Sequence, residues 1–407
     1  MQASFIPVML GGDLNCYGMA RSFFEAYGIP SVAFGKQSLG PTRFSRYLRH
    51  ISVPNLSDFS VCRRVLLDFY KKEKGKTLLL FACTDEYARL LIEHRDALSP
   101  YFALSVPPPR ALRLSEKDVF YRTCADYEIA TPDTVVYRGI PSRARLAEAA
   151  RLLGYPHILK PAESHLYWQY PFPEMEKVYL VHSPREEEDV LSRIRRAGYP
   201  GAMLAQRYIG GDRVRAFVLT LYFDRNGRAV LRACGRALLE EMTPCGKGNY
   251  AALLTAPIPP VAERIVRMLT DFCYRGFANL DIRRDARGRD FVLELNLRQG
   301  RSNYFLTAAG VNPAEVVVRD VVEQMDLAPT VVTENVLVRT VPLSTVCRHT
   351  ARDRDAVLCK RLHRAGRDVS LLHPTADLFL NPLRRVYVWE HMRREAQKFR
   401  RFSEMKR

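Results

Sequence analysis

The first hundred residues alternate short apolar runs with an amphipathic segment. Apolar runs from Phe5 to Leu10 and from Ile29 to Phe34 lie on either side of a helical pattern from Gly18 to Tyr27. Another apolar run, from Thr77 to Cys83, ends in polar residues. This order predicts a β-α-β opening and a parallel sheet whose strands end at ligand-facing loops. We therefore predict an α/β, Rossmann-like domain over residues 1–112.

The pattern changes after the proline-rich stretch that ends at Pro109. Helical patterns now alternate with separate strand candidates, which is typical of an α+β module. The candidates are helices at Glu116 to Tyr127 and Arg143 to Leu153, strands near His157 to Lys160, Val178 to His182 and Met203 to Tyr208, and a hairpin of Val214 to Phe223 with Ala229 to Leu239. We predict an α+β module from residue 113 onwards and a basic C-terminal extension at 326–407.

A second hairpin carries the most informative polar pattern, FANLDIRRDARGRDFVLELNLRQGRSN, which begins at Phe277. Side chains alternate faces along a strand, so every second residue shares a surface. A turn closed by Asp285 and Asp290 sets the register of the two strands. It places Asp281 opposite Glu294, and the two asparagines opposite each other. The polar face then consists of Asn279, Asp281, Arg283, Glu294, Asn296 and Arg298.

The predicted pairing brings two carboxylates face to face on one strand surface. Like charges directly opposite each other destabilise a sheet, so this pair requires a compensating cation. Mg²⁺ prefers oxygen ligands and takes one or two carboxylates from a protein. We therefore predict that Asp281, Glu294 and the amide oxygen of Asn296 bind magnesium. The alternative interpretation is an ordinary amphipathic hairpin whose charged face is solvated.

The net charge of +18 predicts attraction to polyanions or anionic surfaces. Nucleic acid, an anionic membrane leaflet and a polyphosphorylated substrate all fit this charge. The basic residues are spread along the chain, and no RRM, KH, zinc-finger or helix-turn-helix signature is present. We therefore predict no nucleic-acid partner, and we keep a basic nucleic-acid-binding protein as an alternative function.

The sequence begins MQASFIPVMLGGD, without the basic start and small-residue cleavage site of an export signal. Its apolar runs are much shorter than the about 20 residues that cross a bilayer. The nine cysteines are scattered singly, without a CxxC pair, which argues against structural zinc and a disulfide framework. These features predict a cytoplasmic protein.

Two lysines and a glycine pair lie at the ends of predicted elements. Lys117 begins a helix, and Lys160 ends an apolar strand. The stretch LAQRYIGGD leads from Leu204 through two glycines to Asp212. In this order, and followed by the predicted metal ligands, these residues resemble the ATP-grasp family. The resemblance implies an N-terminal pre-ATP-grasp domain, then an ATP-grasp domain at residues 113–325. Its two subdomains, at residues 113–203 and 204–325, clasp ATP, with the two lysines on the phosphates.

Four further motifs resemble a narrower group: LGGDLNCYGMARSF, CTDEY, RGFANLDI and ELNLRQGRSNYF. They are similar to the D-aspartate ligase branch of the carboxylate–amine ligases. The resemblance implies that an amino acid, D-aspartate, is joined to the side-chain amine of a peptidoglycan-precursor peptide. It implies ATP and Mg²⁺ as cofactors, with Mn²⁺ as the alternative metal. By the same resemblance, adenine is framed by Gln206, Arg207 and Ile209, and ribose is bound by Asp212.

One segment departs from the wider family. The residues after Lys160, AESHLYWQYPFPEMEKV, contain no glycine, although a flexible loop over the phosphates is common in that family. Two interpretations are open for Trp168 and the neighbouring tyrosines. They either cover the nucleotide or form a packed aromatic cluster.

The reaction class depends on which chemical groups are present. No Ser-His-Asp or Cys-His pattern is visible, so the sequence does not indicate covalent catalysis by the protein. We expect magnesium and the lysines to neutralise the γ-phosphoryl group while a substrate carboxylate attacks it and becomes an acyl phosphate. Arginines with paired donors suit the binding of that carboxylate or acyl phosphate. The candidates are Arg283, Arg298, Arg301 and the adjacent Ser302. A dipeptide ligase with another amino acid, and an inactive ATP-grasp scaffold, are the alternatives.

The C-terminal segment combines an apolar stripe with many basic residues. At helical spacing the stripe consists of Val386, Trp389, Met392, Ala396 and Phe399. We expect the stripe to dock onto the protein's own core, and the basic face to make weak, salt-sensitive contact with an anionic membrane. The sequence leaves the oligomeric state open.

Overall fold

A five-stranded parallel sheet forms the first part of the chain in the computed structural model, which describes residues 4–211, 214–241, 243, 246 and 248–404. Its elements are β1 (Phe5–Leu10), α1 (Leu14–Tyr27), β2 (Ser31–Gly35), β3 (Leu48–Ser52), α2 (Phe59–Lys72), β4 (Thr77–Ala82), α3 (Asp85–Glu93), α4 (Arg95–Leu98) and β5 (Ala103–Leu104). The strand order is β3-β2-β1-β4-β5, which confirms the predicted α/β opening.

The sequence explains the beginning of this sheet. All six residues of β1 are buried, as expected for a parallel strand that is covered on both faces. Helix α1 begins earlier than predicted because Asp13 caps it, with its carboxylate accepting a hydrogen bond from the Cys16 backbone N–H at 3.2 Å. The helix ends at Gly28, whose left-handed φ of 67° is favourable for glycine.

A smaller, antiparallel sheet follows and forms a separate lobe. Its strand order is β6-β9-β7-β8. The elements of this lobe are α5 (Lys117–Asp126), β6 (Thr134–Tyr137), α6 (Arg143–Leu153), β7 (His157–Pro161), α7 (Ser164–Tyr167), β8 (Tyr179–Val181), α8 (Pro184–Arg196) and β9 (Met203–Arg207). The lobe has its own apolar core, which includes Leu159, Tyr167 and Val190.

The largest sheet is mostly antiparallel and has the order β14-β13-β10-β11-β12-β16-β17, with β15 paired to β11. Its region comprises β10 (Arg215–Phe223), β11 (Ala229–Glu240), β12 (Tyr250–Ala256), α9 (Val261–Asp271), β13 (Gly276–Arg284), β14 (Asp290–Asn296), α10 (Tyr304–Ala308), α11 (Pro313–Val317), β15 (Thr330–Val331), β16 (Leu337–Arg339), α12 (Leu343–His349), α13 (Asp353–Arg364), β17 (Asp368–Ser370), α14 (Thr375–Leu378) and α15 (Pro382–Glu404).

The first sheet and the largest sheet share their apolar core. One buried cluster joins Val8 of β1 and Leu80 of β4 to Phe217 of β10 and Leu280 of β13. The four strands of the small lobe pack with α6, α7 and α8 around a separate core, whereas Phe120 and Cys124 of α5 belong to the shared cluster. The result is a body of two fused sheets with a separate lobe, and a cleft between them.

The C-terminal segment is woven into both sheets of that body. Strands β15, β16 and β17 extend the largest sheet. After β17 the chain returns to the first sheet, where the Asp377 carboxylate accepts a hydrogen bond from Tyr17 Oη at 2.9 Å. The same carboxylate forms a fully buried ion pair with Arg384 at 2.9 Å. These contacts attach the last helix to the beginning of the chain.

The predicted stripe on α15 is partly wrong. Val386 and Trp389 are 67% and 66% exposed, whereas Arg384, Val388 and Phe399 are buried. The buried pair between Arg384 and Asp377 explains the difference, because it fixes the helix with Arg384 facing inward. Across the described ranges, no helix combines the length and the apolarity that crossing a bilayer requires.

Candidate active site

A cavity of about 630 Å³ lies between the small lobe and the largest sheet. Its walls come from β7, β8 and β9 on one side and from β13 and β14 on the other. The chemistry-bearing residues of the cavity include Lys117, Lys160, Lys177, Asp281, Arg283 and Glu294. The two predicted lysines and the two predicted carboxylates therefore face one space.

The strand register of the carboxylates is confirmed. Asp281 pairs with Glu294, and the next pair along joins the two asparagines, Asn279 and Asn296. Nearer the turn the strands are shifted by one residue from the prediction, and a bulge between the two regions restores the predicted pairing. The extra residue in the bulge is Leu293, which lines the cavity. Bulges of this kind often re-aim side chains beside active sites.

The two carboxylates are electrostatically unequal. Burial, together with the charge of Glu294, raises the pKa of Asp281, which also accepts a hydrogen bond from Tyr250 Oη at 2.9 Å. Burial opposes the ionisation of Glu294 too, but the charges of Lys117, Lys160 and Lys177 lower its pKa. A divalent cation between the two oxygens would relieve this repulsion.

The amide of Asn296 completes the predicted set of metal ligands. Its Nδ2 is 3.4 Å from the Asn279 carbonyl oxygen, to which it donates. Within the described part of the chain, no three His, Cys, Asp or Glu side chains form a metal-binding group. Two carboxylates and an amide match the sparse protein ligation of Mg²⁺ better than the closed site of a structural metal.

The lysines come from separate elements and converge in the cavity. Lys117 Nζ, at the start of α5, is 3.9 Å from Glu294 and donates to the Pro161 carbonyl at 3.4 Å. Burial and the charge of Lys160 lower the pKa of Lys117, and burial also lowers the pKa of Lys160. Two partly buried ammonium groups in one cavity form a site suited to a polyanion.

Sequence reasoning missed Lys177. It precedes β8 in the glycine-free segment and lines the same cavity as the two predicted lysines. The sequence did contain a signal for it, because Lys177 borders a short apolar strand just as Lys160 does. In the same segment, Tyr167 belongs to a packed aromatic cluster and does not cover the cavity. It is buried in the core of the lobe, with its hydroxyl 2.9 Å from that of Tyr179.

The predicted adenine segment lies along the cavity. Gln206, Arg207 and Ile209 all line it. The Gln206 amide donates to Tyr121 Oη at 2.8 Å, and Arg207 Nε is 2.7 Å from Asp133. The side chains of Gln206 and Arg207 are therefore held by groups of the protein itself, and Ile209 follows the end of β9. Asp212, the predicted ribose ligand, lies outside the described residues.

The predicted arginines fall into two groups. Arg283 lines the cavity and pairs with Glu240 at 2.9 Å. Arg298 and Arg301 follow β14 in the chain. Arg298 Nη2 donates to Asp85 at 3.0 Å, and Arg301 pairs with Glu241 at 2.9 Å. Ser302 follows in the turn before α10.

A second charged group therefore lies at the ends of β1 and β4. Burial raises the pKa of Asp13, and the charges of Arg301 and Arg298 oppose that rise. The Asn15 amide joins the two parts of the body by donating to the Gln299 carbonyl at 3.0 Å. Positively and negatively charged side chains are thus both present beside β14, the strand that carries Glu294.

The C-terminal segment closes one wall of the cavity, which the sequence did not indicate. Arg236 of β11 forms a two-point ion pair with Asp355 of α13, at 2.8 and 3.1 Å. Arg215, Arg236 and Asp355 all line the cavity. The partners are 119 residues apart, so no local pattern could have paired them.

The D-aspartate ligase of Enterococcus faecium (strain Aus0004) is 36% identical to this chain over 321 residues, which cover 78% of this chain and 76% of that protein. The chain belongs to the D-aspartate ligase family. It is therefore an ATP-dependent carboxylate–amine ligase, as the sequence motifs implied. No protein-family model matches the chain.

Solved structures agree on the fold of this ligase. The L-amino acid ligase from Bacillus licheniformis is 13% identical, with a TM-score of 0.54 over 79% of this chain and 75% of that chain. The biotin carboxylase domain of the Hydrogenobacter thermophilus 2-oxoglutarate carboxylase, in complex with MgADP, is 14% identical, with a TM-score of 0.58 over 80% of this chain and 71% of that chain. These likenesses confirm the predicted ATP-grasp architecture.

The residues that line the cavity fit the chemistry of an ATP-grasp ligase independently of these likenesses. Lys117 and Lys160 are two partly buried cations in one cavity, which suits the phosphates of a nucleotide. Asp281 and Glu294 are facing carboxylates that suit a divalent cation. The roles of the individual residues remain predictions.

Proposed function

We propose that this ligase uses ATP to activate D-aspartate and joins it to the side-chain amine of a peptidoglycan-precursor peptide. The products are the amide, ADP and phosphate. The observation that carries the proposal is the convergence of Lys117 and Lys160 with Asp281 and Glu294 in one cavity. We place the reaction in the cytoplasm, where ATP is available.

Each group has a stated role in this proposal. Asp281, Glu294 and the Asn296 amide oxygen hold Mg²⁺, or Mn²⁺ in its place, and the metal supplies positive charge to the ATP phosphates. The two lysines bind those phosphates from the lobe side. The substrate carboxylate attacks the γ-phosphorus, the bond to ADP breaks, and an acyl phosphate forms. The acceptor amine then attacks the acyl carbon and phosphate leaves.

The arginine group beside the carboxylate strand supports an acidic amino acid as substrate. D-aspartate has two carboxylates and one ammonium group, so it needs donors and acceptors close together. Arg298 and Arg301 supply donors, while Asp13 and Asp85 supply negative charge. A dipeptide ligase for another amino acid remains the second candidate, since the Bacillus licheniformis neighbour is an L-amino acid ligase.

Trapping of the acyl phosphate tests this proposal directly. With ATP, Mg²⁺ and hydroxylamine in place of the acceptor, D-aspartate should give the hydroxamate together with ADP, while L-aspartate and D-alanine should give little. Adding a lysine-containing muramyl peptide should then replace hydroxamate with the peptide amide. Hydroxamate formation with D-alanine or L-amino acids, and none with D-aspartate, would overturn the substrate assignment and leave the ligase class intact.

A further inference from the structure

An exposed apolar surface lies where the last helix meets the first sheet. We call it the apolar cap, and it consists of Phe44, Phe379, Leu380, Leu383, Val386 and Trp389, all of which are exposed. Hydrogen bonds hold the two segments together, since Asn381 Nδ2 donates to the Phe44 carbonyl at 2.7 Å. Contiguous exposed apolar patches of this kind mark interaction sites on soluble proteins.

The backbone presents two of these side chains at an energetic cost. Phe44 and Leu380 have left-handed φ values of 59° and 52°, which glycine adopts easily and side-chain-bearing residues do not. Leu380 is also 82% exposed, so its own packing does not repay the strain. Strained residues that persist without local benefit are concentrated at functional surfaces.

Positive charge surrounds the apolar cap. Arg43, Arg46 and Arg385 are exposed beside it. Within residues 40–47 and 375–394 the two acidic side chains are already paired, Asp377 with Arg384 and Glu390 with Arg393. The surplus charge is therefore basic. A tryptophan, exposed aliphatic side chains and a basic border are the combination found at the interface of anionic membranes.

We propose that the apolar cap docks onto an anionic lipid surface, with Trp389 and Leu380 inserted between headgroups and the arginines on the lipid phosphates. A second copy of the chain fits this surface less well, because each copy carries a net charge of +18 and would bring the same basic border to the contact. Docking onto lipid is independent of the proposed ligase function, because lipid binding is measured without turnover.

Vesicle co-sedimentation tests the proposal. The full chain should sediment with phosphatidylcholine vesicles that contain about 30% phosphatidylglycerol at low salt, and much less with pure phosphatidylcholine or at about 0.5 M salt. Val386→Ser and Trp389→Ser should each lower the partition coefficient, Trp389→Ser by about tenfold or more. Val357→Ser is the matched control, because Val357 is 66% exposed on α13, outside the apolar cap.

Fluorescence gives a second readout from the same surface. The chain has two tryptophans, so Trp168→Phe leaves Trp389 as the reporter. Its emission should shift to shorter wavelength when anionic vesicles are added. Absence of wild-type binding to anionic vesicles at low salt would overturn the proposal, as would equal losses in Val386→Ser and Val357→Ser. A lipid-free dimer that Trp389→Ser dissociates would assign the surface to a second copy instead.

Discussion

Two groups of charges in this ligase, one fully buried and one lining the cavity, are built in opposite ways. The Arg384–Asp377 pair is 2.9 Å apart with neither side chain exposed, and Asp377 accepts further hydrogen bonds from Tyr17, Ser45 and the Arg46 backbone N–H. In the cavity, by contrast, Lys117 is 3.9 Å from Glu294 and lies near a second lysine.

The difference separates an ion pair that stabilises the fold from a group of charges that we propose binds the substrate. Arg384 Nε donates to Asp377 and its Nη1 donates to the Pro41 and Arg43 carbonyls, so most of the cost of burying this pair is offset within the protein. The cavity instead holds like charges side by side, with lysines that disfavour each other and carboxylates that do the same. Such an arrangement suits the ligand that we propose, a polyanion bound together with a cation.

Replacement of Glu294 should have the largest effect on activity. Glu294→Gln keeps the shape of the side chain but removes the charge that the metal requires, so amino-acid-dependent ADP formation should fall by about 1000-fold or more. Steady-state ADP release measures it, and the thermal midpoint should stay close to that of wild type. Glu334→Gln, an exposed change on the surface, is the control. Wild-type turnover in Glu294→Gln would remove this residue from the metal site.

Breaking the structural pair should instead reduce stability. Arg384→Met leaves Asp377 charged and buried without its partner, so the free energy of unfolding should fall by about 3–5 kcal/mol. Urea unfolding measures this change. The matched control is Arg89→Met, which breaks an exposed pair with Glu93 and should cost less than about 1 kcal/mol. Equal unfolding midpoints for the two variants would contradict the comparison.

Removal of either cavity lysine should weaken nucleotide binding. Lys117→Ala and Lys160→Ala should each raise the Kd for a non-hydrolysable ATP analogue by about 10- to 100-fold, because a charge-assisted contact to phosphate is lost. Isothermal titration calorimetry measures the affinity. Lys36→Ala, which breaks an exposed pair with Glu86, should leave it unchanged. Unchanged affinity in both lysine variants would show that the nucleotide binds elsewhere.

A smaller, pH-dependent effect is expected in the lobe. Burial opposes ionisation of Glu187, but hydrogen bonds from His157, Tyr155 and Tyr137 lower its pKa below the usual 4.5. A carboxyl with a lowered pKa stabilises the fold above its unfolded-state pKa and loses that contribution as the pH falls. Glu187→Gln should therefore cost about 1–2 kcal/mol at pH 7 and progressively less below pH 4.5.

Thermal unfolding across this pH range checks the sign of the Glu187 effect. Glu188→Gln, its exposed neighbour in α8, should cost less than about 0.5 kcal/mol at every pH. A stability loss in Glu187→Gln that grows on acidification would mean that the carboxyl is held in its neutral form.

Local patterns correctly predicted the pairing of the two candidate metal-binding carboxylates. Alternation along two strands was enough to place Asp281 opposite Glu294, because the side-chain period of a strand is fixed. The turn itself was predicted one residue out of register, and the bulge at Leu293 compensated. A bulge leaves no clear mark in the alternation of a single sequence, so that detail required the structure.

Long-range contacts account for what the sequence did not predict. The orientation of α15 about its axis depends on the ion pair between Arg384 and Asp377. The cavity wall depends on the ion pair between Arg236 and Asp355. The hydrophobic period alone favoured Val386 and Trp389 as buried residues. Hydrophobic periodicity cannot predict a charged residue at the centre of a buried helix face, because only the fold brings its partner next to it.

The hydrogen bond between Tyr17 and Asp377 spans 360 residues and has a consequence for the newly made protein. At synthesis rates of about 5–20 residues per second, Tyr17 is made roughly 20–70 s before Asp377. During that time Tyr17 and its apolar neighbours lack their final packing partners. We expect ribosome-bound chains that end before Asp377 to recruit chaperones, and released chains truncated there to aggregate.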